Sequence, residues 1–537
     1  MNEITDKTPK RHGEVFFQPA FSQWKEEALR NRERLVKQIV WGQSALKVRE
    51  VFKLPTDQPL VMSGHQPVFF HPGLWAKCLA ASTLAESISG TAIHKITDTA
   101  LAPEHLHYVP EIEDNGKSRR KQIDFFATKD MKNQEKTIPY SNLPAPEFAA
   151  LEKIFSDAQV YCSPVVRNCI RSWEPKLTKG LKKDATWYDF HLSTLRTLDE
   201  VCGTHRLFMQ GSKVWASEPF THFAASWLSN LAELTECYNG SLTAYRTKYD
   251  IKHELTPMPN LKFENWWFEI PFWGVTKYQQ RHSLWAKKEG KHLLIRIKGG
   301  ETYTLDYDNL HGQLGTIAIS LWPKAIPQTL FCRLYLCDFF IHGTGGAAYE
   351  EVGDMILNKV FNVKPPAFGV VSATYLVEPK ESKGIDMIVD HVEKIQWWQR
   401  ALEQNPEYLF MRFTSWQKEL PGFMHPAFIK CYNDESLRKL ALEKDRLVKL
   451  LQDPAQRPQA SEQIKKVNFA LFDGMTEVLK MLEQGLLDAS VVKGTQDVLN
   501  YREYPFFCYP PEVFTDLKNK IRSAANPGAE KPKVAQP

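Results

Sequence analysis

Two short stretches of the chain concentrate side chains able to hold an anion or pass a proton. The first reads Gly64-His65-Gln66-Pro67, followed shortly by His71-Pro72-Gly73. It lies between an apolar run, Pro59 to Met62, and a helical pattern carrying Leu74, Cys78, Leu79 and Leu84 on one side. A strand-to-helix turn of this kind presents unpaired backbone N–H groups and the positive end of a helix dipole, a natural seat for phosphate or carboxylate. Neutral imidazole and the Gln66 amide can donate to the same guest. The plainer alternative makes His65 a helix cap and leaves His71 exposed. The second stretch is His342-Gly343-Thr344-Gly345-Gly346-Ala347-Ala348-Tyr349-Glu350, after the apolar run Leu334 to Ile341. Its glycines let the backbone approach a ligand closely, and a helix is expected to begin straight after them. His342, Tyr349 and Glu350, with Arg333 and Asp338 nearby, supply polar groups. The segment is neither a Walker loop nor a dinucleotide fingerprint, so a plain tight turn is the alternative. A third candidate is Asp98, which closes the strand-like Thr91 to Asp98 and is followed by Glu104, His105 and His107. Carboxylate beside imidazole suits proton transfer or a divalent metal. No further ligand stands at a recognisable spacing, so no metal is expected.

These residues need elements to position them. Strand, turn, helix and strand over residues 61–98 make a βαβ unit, which implies parallel strands, and ligands of such sheets sit at the strands' carboxyl ends. The remaining pattern divides the chain into an N-terminal helical segment (1–57), a core (58–380) with insertions near 115–200 and 250–300, and a helical region (381–500). A return segment (501–522) and a disordered tail (523–537) follow. Residues 1–20 read as loose, and 21–50 as one amphipathic helix with Trp24, Ala28, Leu35 and Ile39 on its apolar face. In the helical region Ile385, Ile388, Val392 and Ile395 run at heptad-like spacing. So do Leu437, Leu440 and Leu447, interrupted by Lys444, and Ile464, Val467, Leu471, Val478 and Met481. Such seams favour an antiparallel coiled-coil hairpin, and their outward apolar rows favour a second copy as partner. The predicted class is α/β, with a Rossmann-like parallel core and a C-terminal helical hairpin.

Composition narrows the function. Charged residues make up 24% and hydrophobic ones 43%, the proportions of a globular protein. A net charge of +5 on 537 residues lacks the dense basic stripe of a nucleic-acid binder. The longest apolar runs, such as Phe368 to Val377, are too short to span a bilayer. The N-terminus lacks the apolar stretch of a signal peptide. A cytoplasmic protein without a membrane or nucleic-acid partner is therefore expected, its nine scattered cysteines reduced.

The GHQP turn and its helix at 61–85, the HGTGGAAYE segment at 342–350 and the ending LNYREYPFFCYP at 499–510 occur in an order that resembles the bacillithiol-biosynthesis cysteine-adding enzyme family (BshC). Gly64-His65-Gln66-Pro67-Val68 stands where that family has Gly-Gln-Gln-Pro-Gly. Residues 345–350 resemble its later Gly-Gly-Pro-Gly-Glu. The family's acidic segment after the second strand is here Ile96-Thr97-Asp98-Thr99-Ala100, and only Asp98 matches it. The resemblance implies a Rossmann-like core, a dimer formed through a helical coiled coil, and a ligase that attaches cysteine to a sugar-acid acceptor. It also implies a nucleotide site, with ATP or ADP as the candidate ligand. On that reading His65, Asp98, His342 and Glu350 are the catalytic candidates. Gly64, Gln66, His71, Gly73, Arg333, Gly343, Gly345, Gly346 and Tyr349 are the candidates for binding substrate or nucleotide. A dimeric binding or scaffold protein that keeps the fold without the chemistry is the competing class, and the missing acidic residues favour it. A class I nucleotidyltransferase would need a His-x-Gly-His motif, and Ser63-Gly64-His65 lacks the leading histidine.

Overall fold

The computed structural model describes residues 8–101, 107–112, 118–123, 139–178, 185–253, 255, 258–276, 280–297, 300–378, 385–420 and 422–526. Glu104, His105 and the tail beyond residue 526 lie outside them. The chain forms two units. One comprises Met1–Val109, Lys121–Val377 and Arg502–Pro537; the other comprises Pro110–Arg120 and Glu378–Tyr501.

The first unit is built on a six-stranded sheet. Its strands are β1 (Glu14–Gln18), β2 (Leu60–His65), β3 (Thr91–Ile96), β4 (Leu207–Gln210), β5 (Phe339–His342) and β6 (Phe368–Thr374). They lie in the order β1-β6-β5-β2-β3-β4, all parallel except β1, which pairs antiparallel with β6. From β2 the chain moves outward through β3 and β4, then returns to the other side of β2 as β5 and β6. The order thus reverses between β2 and β5. Leu60, Val61 and Met62 are fully buried, as a central parallel strand covered on both faces requires.

Local signals explain why these segments fold as they do. Between β2 and β3 runs the helix Pro72–Ser87, whose Pro72 stands in the first turn where its missing N–H costs nothing. It is buried almost all round, from Pro72 to Ala85. The βαβ unit expected over 61–98 is therefore present, with parallel register from Leu60↔Thr91 to His65↔Ile96. Two N-terminal expectations are corrected. Residues 14–18 are not loose: the β-forming run Val15, Phe16 and Phe17 lets them join the sheet edge, with Glu14 opposite Thr374 and Gln18 opposite Val370. Residues 21–50 are not one helix. α1 (Phe21–Leu35) ends, and Trp41 and Gly42, at φ of 50° and 79°, turn the chain through a small hairpin (Ile39–Val40 with Gln43–Ser44). A second short helix, Ala45–Val51, follows. Ordinary L residues resist that left-handed backbone, so the helix cannot run through it. Hereafter Pro72–Ser87 is α2 and Glu350–Lys359 is α3.

A mainly antiparallel sheet is inserted between β4 and β5. Its strands run Thr302–Asp306, His292–Ile297, Arg281–Glu289, Trp267–Val275 and Ser320–Pro323 in spatial order. Phe272, Leu293 and Ile295 from this sheet share one hydrophobic core with Met62, Phe340 and Val352.

The second unit is helical, with α4 (Ile385–Gln404), α5 (Glu435–Leu450), α6 (Arg457–Gly474) and α7 (Thr476–Leu499). α5 and α6 pack on each other, as do α4 and α7. Trp398, Trp416, Phe428 and Leu471 fill its core. Lys444, the polar break in the α5 seam, is buried against Glu407. The chain then returns to the first unit through α8 (Pro511–Ala525), which packs on α2. Among the described residues no helix is long and apolar enough to cross a membrane. Cys78, Cys202, Cys237, Cys332, Cys337, Cys431 and Cys508 are free thiols.

Candidate functional site

β2 and β5 are neighbours, with Phe339 opposite Val61 and Ile341 opposite Ser63. Their carboxyl ends therefore set the GHQP turn beside the His342 loop, although the two are far apart in sequence. Lys77, on the second turn of α2, links them. Its ammonium donates to the carbonyl of Gly64 at 3.0 Å, and its stem lies 3.7 Å from where a Cβ would stand on Gly343. The sequence-derived candidates at this junction are His65, Gly64, Gln66, His71, Gly73, His342, Gly343, Gly345 and Gly346.

His65 ends β2, half-buried, with Nδ1 3.2 Å from the carbonyl of Gln66 and its ring edge-on to Phe70. The cap of α2 is His71 instead. Its Nδ1 accepts the Gly73 N–H at 3.1 Å, which places the proton of the neutral ring on Nε2. His71 is buried rather than exposed, and burial, Arg502 and Lys77 push its pKa well below the usual histidine value. Gly73 is a steric requirement: a Cβ there would lie 2.6 Å from the Ala373 carbonyl and 3.0 Å from Arg502 Nη2. Burial lowers Lys77 to about 8, opposed by Cys78 and reinforced to a smaller extent by Lys95. Lys95, on β3, is also buried; its ammonium meets Thr97 Oγ1 at 3.1 Å and the face of Trp215 at 4.9 Å.

The glycine-rich segment differs from expectation. No continuous helix starts after His342. A four-residue turn of helix, Thr344–Ala347, comes first, and α3 begins only at Glu350. Gly346 is tightly placed, since a Cβ would stand 3.0 Å from His342 Nδ1, whereas Gly345 has open space around it. Glu350 is buried and faces inward to Arg333, not outward to a ligand. Arg333, in the π-helical turn Cys332–Leu336, also pairs with Asp354 at 2.9 Å and the Pro366 carbonyl. His342 Nε2 lies 3.1 Å from Glu350 Oε1 without the alignment of a hydrogen bond. Burial opposes ionisation of Glu350, but His342 and Arg333 outweigh it and hold the group at about 2. Burial also lowers His342, so at neutral pH Arg333 is the lasting counter-charge. Tyr349, beside Gly346, is raised to about 12 by burial and then by Glu350, so it remains a neutral donor.

Asp98 likewise has internal partners. Its carboxylate is fully buried and accepts from Gln210 Nε2 (2.8 Å), the Ser212 N–H (2.7 Å) and Ser212 Oγ (2.6 Å). Those bonds tie the end of β3 to the end of β4, and a general base needs a free lone pair aimed at substrate. Asp338 lies at the amino ends of β2 and β5, where it accepts from Leu60 N–H (2.8 Å) and Arg49 (2.8 Å). His107 is buried against Phe69, with ring centroids 5.1 Å apart. Among the described residues no group of three or more His, Cys, Asp and Glu is placed to hold a metal ion.

Sequence reasoning passed over Lys77, Lys95 and Arg502. A signal existed for the first: Lys77 is the one basic residue of the helix Pro72–Ser87 that follows the GHQP turn, set among apolar neighbours Leu74, Trp75, Ala76, Cys78 and Leu79. The chain matches no protein-family model and no curated protein.

Proposed function

We propose that the crevice outside the carboxyl ends of β2 and β5 is the active site of a BshC-like ligase. It joins an amino acid of cysteine type to a sugar-acid or similar anionic acceptor, and ATP or ADP is the candidate nucleotide. The core is read as Rossmann-like, because in such sheets ligands sit where the strand order reverses. One observation carries the proposal: at that reversal Lys77 is buried between the two loops, and among the described residues the Gly64 carbonyl is its one hydrogen-bond partner. An ammonium out of water without a counter-charge is costly, and an anionic substrate offsets that cost. Gln66, Tyr349 and the imidazole of His342 add donors around the same anion. An attacking amine must lose a proton. His65, half-buried at the tip of β2, takes that step.

The commitment of the Asp98 and Glu350 carboxylates favours a second reading, a dimeric binding or scaffold protein without turnover. On either reading the C-terminal helices form an antiparallel coiled coil that joins two copies. The exposure of Leu442 (68%), Phe469 (76%) and Phe472 (43%) on α5 and α6 supports that dimer. The test incubates the full-length protein with cysteine and a panel of sugar acids, with and without ATP, and seeks condensed products by mass spectrometry. An amide product that needs both substrates supports the ligase. Saturable binding of a panel member without product selects the scaffold.

A further inference from the structure

We infer that Lys77, His71 and Arg502 form a subsite for one oxyanion, a carboxylate or phosphate group, at the first two turns of α2. The inference rests on the crevice reading above and names the group that this part of the crevice recognises. Three observations converge. Lys77 is 3% exposed, and its ammonium has one hydrogen-bond partner among the described residues, the Gly64 carbonyl at 3.0 Å. Two of its three N–H donors are therefore unfilled. His71 is 7% exposed and commits Nδ1 to the Gly73 N–H, so its Nε2–H is a fixed donor with no partner among the described residues. Arg502 is held by Ser372 Oγ (2.9 Å) and Thr374 Oγ1 (3.1 Å), both neutral, and its Nε is buried without a partner.

The groups facing Lys77 include cations and no carboxylate. Lys77 is faced by Cys78 on its own helix, His71 at the helix cap, His94 and Lys95 from β3, and His342 from β5. None of these is an acid at neutral pH. Arg502 feels only Glu503 and the Tyr509 phenol as balancing groups. The first N–H groups of α2 do not make this site, because His71 already occupies that of Gly73. The binding groups are the side chains. Arg333 and Arg49, buried elsewhere in the unit, have carboxylate partners in Glu350 and Asp338. Lys77, like Lys95 on the neighbouring strand, pairs with no carboxylate among the described residues.

An anion seated here stabilises the charged form of Lys77, so binding draws a proton from solvent. With the free amine at about 8, binding at pH 8 takes up about half a proton, and at pH 6 almost none. The test is calorimetric titration of the full-length protein with orthophosphate and, separately, with malate, each in two buffers of unlike ionisation enthalpy. Expected is saturable binding of at least one probe with proton uptake at pH 8 that fades at pH 6. Lys77→Met is expected to weaken that binding about 10- to 100-fold, abolish the uptake and raise the melting temperature of the ligand-free protein. Phosphate binding alone points to a phosphorylated ligand, and malate binding alone to a carboxylate. If neither probe binds, if binding carries no uptake at pH 8, or if Lys77→Met binds like the parent, the subsite is wrong. If Lys77→Met does not fold, the proton uptake of the unaltered protein decides alone. Failure of the ligation assay with this linkage intact overturns the ligase and leaves the subsite standing.

Discussion

Glu350→Gln separates a catalytic carboxylate from a structural one. In the folded protein Glu350 is fully buried against Arg333, with His342 Nε2 at 3.1 Å. Glutamine keeps the shape and removes the charge, leaving Arg333 with Asp354 at 2.9 Å as its remaining carboxylate. Asp354 is itself raised to about 6 by burial, so it is a weak substitute below that pH. Breaking one side of a buried pair costs about 3–5 kcal/mol. The pKa gives a similar magnitude: lowering Glu350 from 4.5 to about 2 is worth about 3 kcal/mol at neutral pH. Because the folded pKa lies below the unfolded one, this contribution is complete above pH 4.5 and is lost as pH falls towards 2. Asp354, with its folded pKa raised from 3.8, acts with the opposite sign, recovering stability as pH falls below about 6. Urea unfolding followed by tryptophan fluorescence, read at the transition of the first unit from pH 7 to pH 3, measures both. Expected for Glu350→Gln is a loss of about 3–5 kcal/mol at pH 7 that narrows as the pH falls below 4.5. A variant as stable as the parent at pH 7, with a changed pH dependence of substrate turnover, refutes the structural assignment and restores Glu350 as an acid–base group.

Three further outcomes are expected. Asp98→Asn places an amide among the donors of Gln210 and Ser212 and lowers stability by about 2–3 kcal/mol, while anion binding measured by calorimetry stays unchanged. Gly73→Ala sets a methyl 2.6 Å from the Ala373 carbonyl and costs about 1–3 kcal/mol in thermal unfolding, whereas Gly345→Ala, with nothing within 4 Å, is tolerated; equal losses would undo the steric argument. Phe469→Asp on the exposed face of α6 converts the proposed dimer to monomer in sedimentation equilibrium, and a parent protein already monomeric at micromolar concentration removes the dimer.

The sequence by itself determined the elements whose signals are local. Apolar Leu60 to Met62, the His71-Pro72 start and the continuous apolar face of α2 need only a few neighbouring residues to act, so the βαβ unit and its turn were legible. It determined as well that the GHQP and HGTGG segments end strands. Tertiary structure decided what those segments face. Asp98 and Glu350 read as free carboxylates until the fold brought up Gln210, 112 residues from Asp98, and Arg333, 17 residues before Glu350 on a buried π-helical turn. Residues 14–18 looked loose because an edge strand has no meaning until β6 offers its hydrogen bonds. Lys77 carried the opposite ambiguity. A lone lysine in a helix is ordinarily a solvated one, and only the packing of α2 against β2, β3 and β6 took its ammonium out of water. Pattern and periodicity report backbone state, which short-range sterics and burial impose. The charge environment of a side chain depends on which distant strands become neighbours, and β5 joins β2 only after the chain has built everything between them.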